Sequence, residues 1–466
     1  MIRYASTRGG ERGLDFEHVL LAGLAADGGL YLPERWPQFP PEELRALAGA
    51  PYAETAARLI APFVSDGFTR DELHALCAEA YAGFDHAATA PLVQIGPDEW
   101  LLELFHGPTL AFKDFALQLL GRMFERVLAR RGARITIVGA TSGDTGSAAI
   151  HAIAGRRNMT IVMLHPHGRV SSIQRRQMTT VDAANVHNLA IRGTFDDCQA
   201  LVKALFQDAE LRRRCRLAAV NSINWARIVG QVPYYVYAAL RLGGLERPVA
   251  FAVPTGNFGD VYAGYVAWRI GLPVARLVVA TNRNDILARF FATGVYARGE
   301  VVPTITPSMD IQVASNFERL LLDLLGRDAT RLRALMAGFR DTGRLEIDPA
   351  GLDALGGIFA AGRASEEETR AAMRRTFAAT GEIVDPHTAV GLEVARRLRR
   401  EMAGPVVHLA TAHPAKFPDT VAEVLGRRPR LPARLADLEQ RPERFRVLDN
   451  DLAAVAAAVR EAAEAA

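Results

Sequence analysis

Between about residues 96 and 425, short runs of β-branched and aliphatic residues alternate with longer amphipathic stretches, and this alternation constrains the fold more than any other feature of the chain. The runs are 135–138, 160–164, 186–191, 249–253, 277–280 and 406–410. Each is the length of one buried strand, and the stretches between them are long enough for crossover helices. Strands joined through helices run parallel and are covered on both faces, so the pattern predicts an α/β architecture with largely parallel strands over 96–425. Residues 1–95 read differently. They are rich in alanine and leucine, are punctuated by Pro33, Pro37, Pro40, Pro41 and Pro51, and predict a helical N-terminal cap domain. Residues 426–466 are charged and then alanine-rich, which predicts a peripheral helical segment ending in a helix from Asp451. No internal repeat or long low-complexity linker interrupts the chain.

In parallel sheets, ligands gather where a strand gives way to a glycine loop and a helix. Two such loops stand out. Run 135–138 leads into Thr141, Ser142, Gly143, Asp144, Thr145 and Gly146, followed by a predicted helix over 148–154. Backbone N–H groups and hydroxyls at a helix N-terminus suit a carboxylate or phosphate, although an ordinary capped turn has the same composition. No Gly-Lys-Ser/Thr follows at the spacing of a P-loop, which removes the support for nucleotide binding. Run 249–253 leads into Gly256-Asn257-Phe258-Gly259-Asp260 and a predicted helix over 261–270. Here glycines let backbone approach an anion, and Asp260 is expected to cap the helix, since a free carboxylate would repel phosphate.

Lys113 lies in Phe105-His106-Gly107-Pro108-Thr109-Leu110-Ala111-Phe112-Lys113-Asp114-Phe115. The apolar run 100–105 predicts a buried strand, Gly107-Pro108 a turn, and Phe112, Phe115, Leu119, Met123 and Val127 recur at helical spacing. Lys113 therefore falls at a helix mouth near apolar walls. Desolvation there favours the neutral amine, the form that attacks an aldehyde. Alone, such a lysine reads as solvated; beside two anion-binding loops it carries weight.

With these segments the chain resembles the fold-type II pyridoxal-phosphate enzymes, the tryptophan synthase β-like group, and within them the threonine synthase family of the long bacterial and fungal kind. The resemblance runs nearly the whole length, through Tyr4-Ala5-Ser6-Thr7-Arg8-Gly9, Ala26-Asp27-Gly28-Gly29-Leu30-Tyr31, Asn221-Ser222-Ile223-Asn224-Trp225-Ala226-Arg227, Thr281-Asn282-Arg283-Asn284-Asp285 and Thr411-Ala412-His413-Pro414-Ala415-Lys416-Phe417. It implies two α/β lobes with pyridoxal 5'-phosphate in the cleft between them. Lys113 would hold the cofactor covalently and act as general base. Gly256, Asn257, Phe258, Gly259 and Asp260 would hold the cofactor phosphate. Asp144 stands where many relatives carry asparagine beside the ring hydroxyl, and Thr411 matches the hydroxyl residue beside the pyridine nitrogen. Thr141, Ser142, Gly143 and Thr145 would receive the substrate carboxylate, and Ser222, Asn224 and Arg227 the phosphate of O-phospho-L-homoserine. Asn224 reads as a helix N-cap, which puts Arg227 in a first turn where the helix dipole disfavours a cation unless a bound dianion balances it. Pro233 should break the helical pattern that follows. The implied reaction is γ-elimination of phosphate followed by β-hydration to L-threonine, a lyase step that ends threonine biosynthesis. Two alternatives stay open: a serine or threonine dehydratase with the same cofactor, which needs no second phosphate site, and a catalytically silent threonine synthase-like protein.

Charge and cysteine usage narrow the setting. A formal net charge of +3 argues against a nucleic-acid or membrane-surface partner, and the basic segments 211–216 and 396–400 read as solvated helix faces. No apolar run approaches membrane-spanning length and no charged-then-apolar leader opens the chain. Cys77, Cys198 and Cys215 lack metal-ligand spacing, and no His-Glu-x-x-His occurs, so no metal is expected. These features predict reduced thiols and a cytoplasmic enzyme, monomer or homodimer, acting on a small molecule.

Overall fold

The computed structural model describes residues 1–465 apart from 221, 349–351, 353, 354 and 356, so Asn221 of the 221–227 segment lies outside the described residues. Two sheets organise the chain. In the larger, the strand order is Phe359–Arg363, Val274–Thr281, Val249–Pro254, Val406–Ala410, Glu99–Glu103 and Leu92–Gly96. All neighbours are parallel except the last, where Leu92–Gly96 returns antiparallel beside Glu99–Glu103. In the smaller, wholly parallel sheet the order is Arg446–Asp449, Val186–Arg192, Met159–Pro166, Ile135–Ala140 and Leu217–Ala218. This is the two-lobed, parallel-rich α/β arrangement expected. Every residue of Val249–Pro254, Met159–Pro166 and Val406–Ala410 is buried, as continuous apolar runs covered on both faces require.

The N-terminal unit holds the helices Phe16–Ala22, Pro41–Arg45, Tyr52–Val64 and Arg70–Tyr81. It also contains a small antiparallel ladder, Tyr4–Ser6 with Tyr31–Pro33. It is welded to the core rather than hinged on it. Tyr52 meets Phe115 and Tyr237 with ring centroids 5.1 Å apart in each case, and its apolar residues belong to the same buried cluster as the helix Lys113–Arg131. Arg319, fully buried, donates to Tyr31 O at 2.8 Å and to Ile223 O at 2.6 Å, tying the N-terminal ladder to the loop before Arg227.

Residues 426–465 do more than the peripheral helix expected of them. Arg446–Asp449 adds an edge strand to the smaller sheet, and the helix Leu452–Glu464, capped by Asp451, covers that sheet. Full burial of Val455 and Val459 there contributes about 1.5–3 kcal/mol each. The helical pattern around Pro233 is broken, as its ring demands: one helix ends at Val229, and a second, Val232–Arg241, begins with Pro233 in its first turn, where a missing N–H costs nothing.

Candidate active site

The loops that follow Glu99–Glu103, Ile135–Ala140, Val249–Pro254 and Val406–Ala410 converge on one cavity at the carboxyl ends of these strands. It is lined by Lys113, Asp144, Thr145, Ser222, Arg227, Gly256, Asn257, Phe258, Gly259, Asp260 and Thr411. Eleven of the fifteen residues singled out from the sequence thus meet at one place.

Lys113 opens the 19-residue helix Lys113–Arg131. Its turn is fixed from two sides. Buried Asp114 accepts from Thr109 N at 2.8 Å and from Thr109 Oγ1 at 2.7 Å. Phe112 N donates to Thr411 O at 2.9 Å, and His413 N to Leu110 O at 3.0 Å. The lysine segment and the 411–413 segment are therefore held edge to edge. Burial pushes the Lys113 amine below the usual lysine range; Asp144 opposes this, while Lys416 and Arg227 add to it. The amine expected to be neutral is in surroundings that favour neutrality.

Beyond Val249–Pro254, Phe258 takes left-handed backbone (φ 64°) immediately before the helix Gly259–Arg269. The amides of Gly256 through Asp260 have no protein acceptor among the described residues. A Cβ on Gly256 would lie 2.5 Å from Ser308 O, so only glycine fits that wall. A row of free amides at a helix N-terminus suits a phosphate. Asp260 departs from expectation: Phe258, not Asp260, precedes the first helical residue. The Asp260 side chain turns away from the helix N-terminus, and its Oδ1 accepts from Tyr234 Oη at 2.5 Å and Tyr235 Oη at 2.9 Å. Burial pushes its carboxyl up to about 6, only partly offset by the two tyrosines and Lys113. Any phosphate contact from Asp260 is thus through its backbone.

Asp144 is the first residue of the helix Asp144–Ile153. Burial raises its carboxyl, but Lys416, then Lys113, outweigh burial and hold it well below the usual carboxylate range. It is ionised. Lys416 Nζ lies 2.8 Å from Oδ1, Gln174 Nε2 donates to Oδ1 at 2.8 Å, Ser308 Oγ donates to Oδ2 at 3.3 Å, and Lys113 Nζ lies 3.8 Å from Oδ2.

Four residues fall short of the cavity. The hydroxyl of Thr141 accepts from Gly143 N at 3.0 Å and Gly146 N at 2.9 Å, closing its own loop. Ser142 is exposed, and Gly143 (φ 144°) packs against Gln174. Asn224 is the N-cap expected: Oδ1 accepts from Ala226 N at 3.0 Å, and Nδ2 donates to Leu20 O at 2.9 Å, so both ends of its side chain are engaged within the protein. Arg227, in contrast, is buried with Nε and Nη1 unpartnered among the described residues, and burial pushes it down to about 10. Ser222 Oγ sits 3.2 Å from Ser315 Oγ, which donates to Asn257 Oδ1 at 3.3 Å.

Sequence reasoning missed Ser308, His387 and Lys416. Asp385, fully buried, binds His387 Nδ1 at 2.8 Å, and Ser308 N donates to His387 Nε2 at 3.4 Å, which orients the ring at the cavity wall. Asp385 is the N-cap of the helix Pro386–Leu398, and the polar contacts behind that cap had no separate signal in the sequence. Lys416 stood in a segment already noticed, one turn beyond a buried strand. A charge in such apolar company was the available clue.

Comparison with known proteins agrees along the whole chain. Residues 3–81 match the model of the threonine synthase N terminus, 88–360 that of pyridoxal-phosphate dependent enzymes, and 388–459 that of the threonine synthase C-terminal region. A threonine synthase of Pseudomonas aeruginosa is 52% identical over 461 residues, 99% of this chain and 98% of its own. The crystal structure of pyridoxal-phosphate-bound threonine synthase from Brucella melitensis superposes with a TM-score of 0.97 at 52% identity, covering 99% of this chain and 100% of that one. The yeast threonine synthase structure gives 0.93 at 37% identity, covering 99% and 98%.

Proposed function

The chain belongs to the threonine synthase family of pyridoxal-phosphate enzymes, and we propose that it converts O-phospho-L-homoserine and water into L-threonine and phosphate. The observation that carries the substrate is Arg227: a buried guanidinium with two nitrogens that have no partner among the described residues, lining the cavity of Lys113 in addition to the 256–260 amides. One anion site suffices for the cofactor phosphate. A second is needed only if the substrate brings a phosphate of its own.

The residues present fit the cofactor: a neutral-leaning lysine for its carbonyl, free amides and a glycine wall for its phosphate, an ionised aspartate and a threonine hydroxyl for its ring. When bound, pyridoxal phosphate supplies a carbonyl for a primary amine and a conjugated ring that delocalises the electron pair left by a broken C–H bond. Lys113 then takes the proton from the substrate Cα and later returns it. Arg227 and Ser222 hold the γ-phosphate, so that loss of a β proton and cleavage of the Cγ–O bond release it where a guanidinium already balances its charge; a proton returned to Cγ then makes the methyl group before water adds at Cβ. Arg227 keeps the released phosphate near Cβ, where it carries the proton removed from the attacking water. Three free, buried cysteines support a reducing, cytoplasmic setting, and among the described residues no helix is long and apolar enough to cross a membrane.

The test uses cofactor-loaded protein and its Lys113→Ala variant, with released phosphate and threonine measured from O-phospho-L-homoserine. Equal amounts of both, lost in the variant, are expected. Keto acid from L-serine or L-threonine with no phosphate release would move the chain to the dehydratases.

A further inference from the structure

Of the 55 lysine and arginine residues, only three are lysines: Lys113, Lys203 and Lys416. Every other fixed cation is an arginine. Lys203 is exposed on the helix Phe195–Gln207, whereas the other two lysines meet on one carboxylate. A chain that uses guanidinium almost everywhere keeps the compact, titratable ammonium where arginine cannot serve. For Lys113 the need is a carbonyl-reactive amine. Lys416 has no part in the reaction as derived above, yet it is fully buried.

Two ammonium groups and one carboxylate cannot all be charged at low cost away from water, since each uncompensated buried ion costs several kcal/mol. The geometry decides between the lysines. Lys416 Nζ makes a 2.8 Å contact to Asp144 Oδ1 and donates to Thr109 O at 2.7 Å, so its hydrogens have near acceptors. Lys113 Nζ lies 3.8 Å from Oδ2, beyond hydrogen-bond distance, and over the Phe112 ring. We infer that Lys416 is a positioning residue: it claims Asp144 as its permanent counter-ion and thereby leaves Lys113 an uncharged amine, free to join a carbonyl and to accept a proton.

The other charged groups around this trio agree. Lys113 is faced by Asp144, Lys416, Arg227 and Asp260, and His387 shares the cavity. Around Lys416 stand Asp114, His151 and, farther out, Arg434. Asp260 is engaged by two tyrosines, so it is not a ready partner for a charged Lys113. Lysine rather than arginine at 416 also fits the space: the turn Pro414–Lys416 runs directly behind Thr109, and a planar guanidinium is larger than the ammonium held between Asp144 and Thr109 O.

The inference rests on the reading of Lys113 as the residue that receives the cofactor, and the experiment separates the two. Cofactor-free protein is mixed with pyridoxal phosphate across a pH series, the adduct is reduced with borohydride, and the modified peptide is mapped among only three lysines. Adduct at Lys416 or Lys203 in the unaltered protein would sink the reading of Lys113 itself. With adduct at Lys113, Lys416→Met is expected to raise the midpoint of the capture rate against pH by about one pH unit, roughly a tenfold slowing at neutral pH. Asp144→Asn added to Lys416→Met should bring the midpoint back. A purely structural role for Lys416 would lower the extent of capture in the variant and leave the midpoint unmoved, which overturns the inference. A second measurement needs no variant. Unaltered cofactor-free protein labelled with ¹⁵N at lysine Nζ gives three side-chain signals, and the Lys113 signal should change charge below the usual lysine range; a Lys113 signal that changes charge within or above that range refutes the assignment.

Discussion

Replacing Arg227 by methionine should make the protein more stable and less active, and both effects follow from the same burial. Arg227 is 3% exposed, its Nε and Nη1 have no partner among the described residues, and burial alone pushes it down to about 10. A fall of that size corresponds to about 3 kcal/mol of lost preference for the charged form, which the folded chain carries at neutral pH. Methionine is nearly as long and brings no charge, so Arg227→Met is expected to recover about 1–3 kcal/mol. In a chain of this size that raises Tm by about 1–3 °C. The same change removes the cation proposed to face the substrate phosphate. Loss of one partner of a desolvated charge pair costs about 2–5 kcal/mol, so kcat/KM for O-phospho-L-homoserine should fall about 30- to 5,000-fold. Thermal unfolding of the cofactor-loaded protein, whose 256–260 amides are already engaged, with and without inorganic phosphate reads both halves. Phosphate should stabilise the unaltered protein by mass action and leave the variant where it was. A variant less stable than its parent without phosphate, or one that responds to phosphate equally, would refute the argument that Arg227 is held unpaired for an anion.

Gly256→Ala drives a Cβ to within 2.5 Å of Ser308 O, backbone that cannot swing aside. The 308 loop must shift, so cofactor titration should show at least about tenfold weaker binding, in keeping with about 1–3 kcal/mol of overpacking; unchanged affinity would mean the loop yields freely. Asp260 has a folded-state carboxyl raised to about 6, so the folded chain holds its proton more tightly than the unfolded one. The group therefore disfavours folding above about pH 6, and that penalty fades as pH falls toward the ordinary carboxylate range. The stability of Asp260→Asn relative to its parent, from urea midpoints, should drop by about 2 kcal/mol between about pH 7 and pH 4.5, and a pH-independent difference would contradict the burial argument. Phe258→Ala removes a ring that is 1% exposed and lies 5.3 Å from Phe317, at an expected cost of about 3–5 kcal/mol in chemical denaturation.

Much of this molecule could be read from local pattern. The run at 249–253 is continuous and apolar because the strand is covered on both faces, and parallel pairing with Val274–Thr281 and Val406–Ala410 follows from the helices between them. Lys113 and the 256–260 loop were legible because backbone that bends around an anion needs glycine, and a helix mouth needs a turn. What escaped was whatever depends on partners distant in the chain. The side chain of Asp260 could not be assigned to Tyr234 and Tyr235, since only the packing of Val232–Arg241 beneath the loop brings them there. Its expected capping role failed because Phe258 takes the left-handed backbone before the helix. Thr141 has the composition of a ligand-binding loop and uses its hydroxyl to close that loop instead. Lys416 meets Asp144 across 272 residues of chain, and no periodicity encodes such a meeting.

The position of Val406–Ala410 has a consequence for synthesis. It lies between Val249–Pro254 and Glu99–Glu103, yet it is the last strand of the larger sheet to leave the ribosome. Until about residue 410 has emerged, that sheet is two unjoined pieces with long apolar edges open to other chains. Closing it means pairing Glu99–Glu103 with a partner some 300 residues downstream, a slow contact that leaves the half-made chain dependent on protection while it waits. The same late strand carries Thr411 and, one turn on, Lys416. The last strand made for this sheet is thus followed at once by Lys416, the lysine that meets Asp144 beside Lys113.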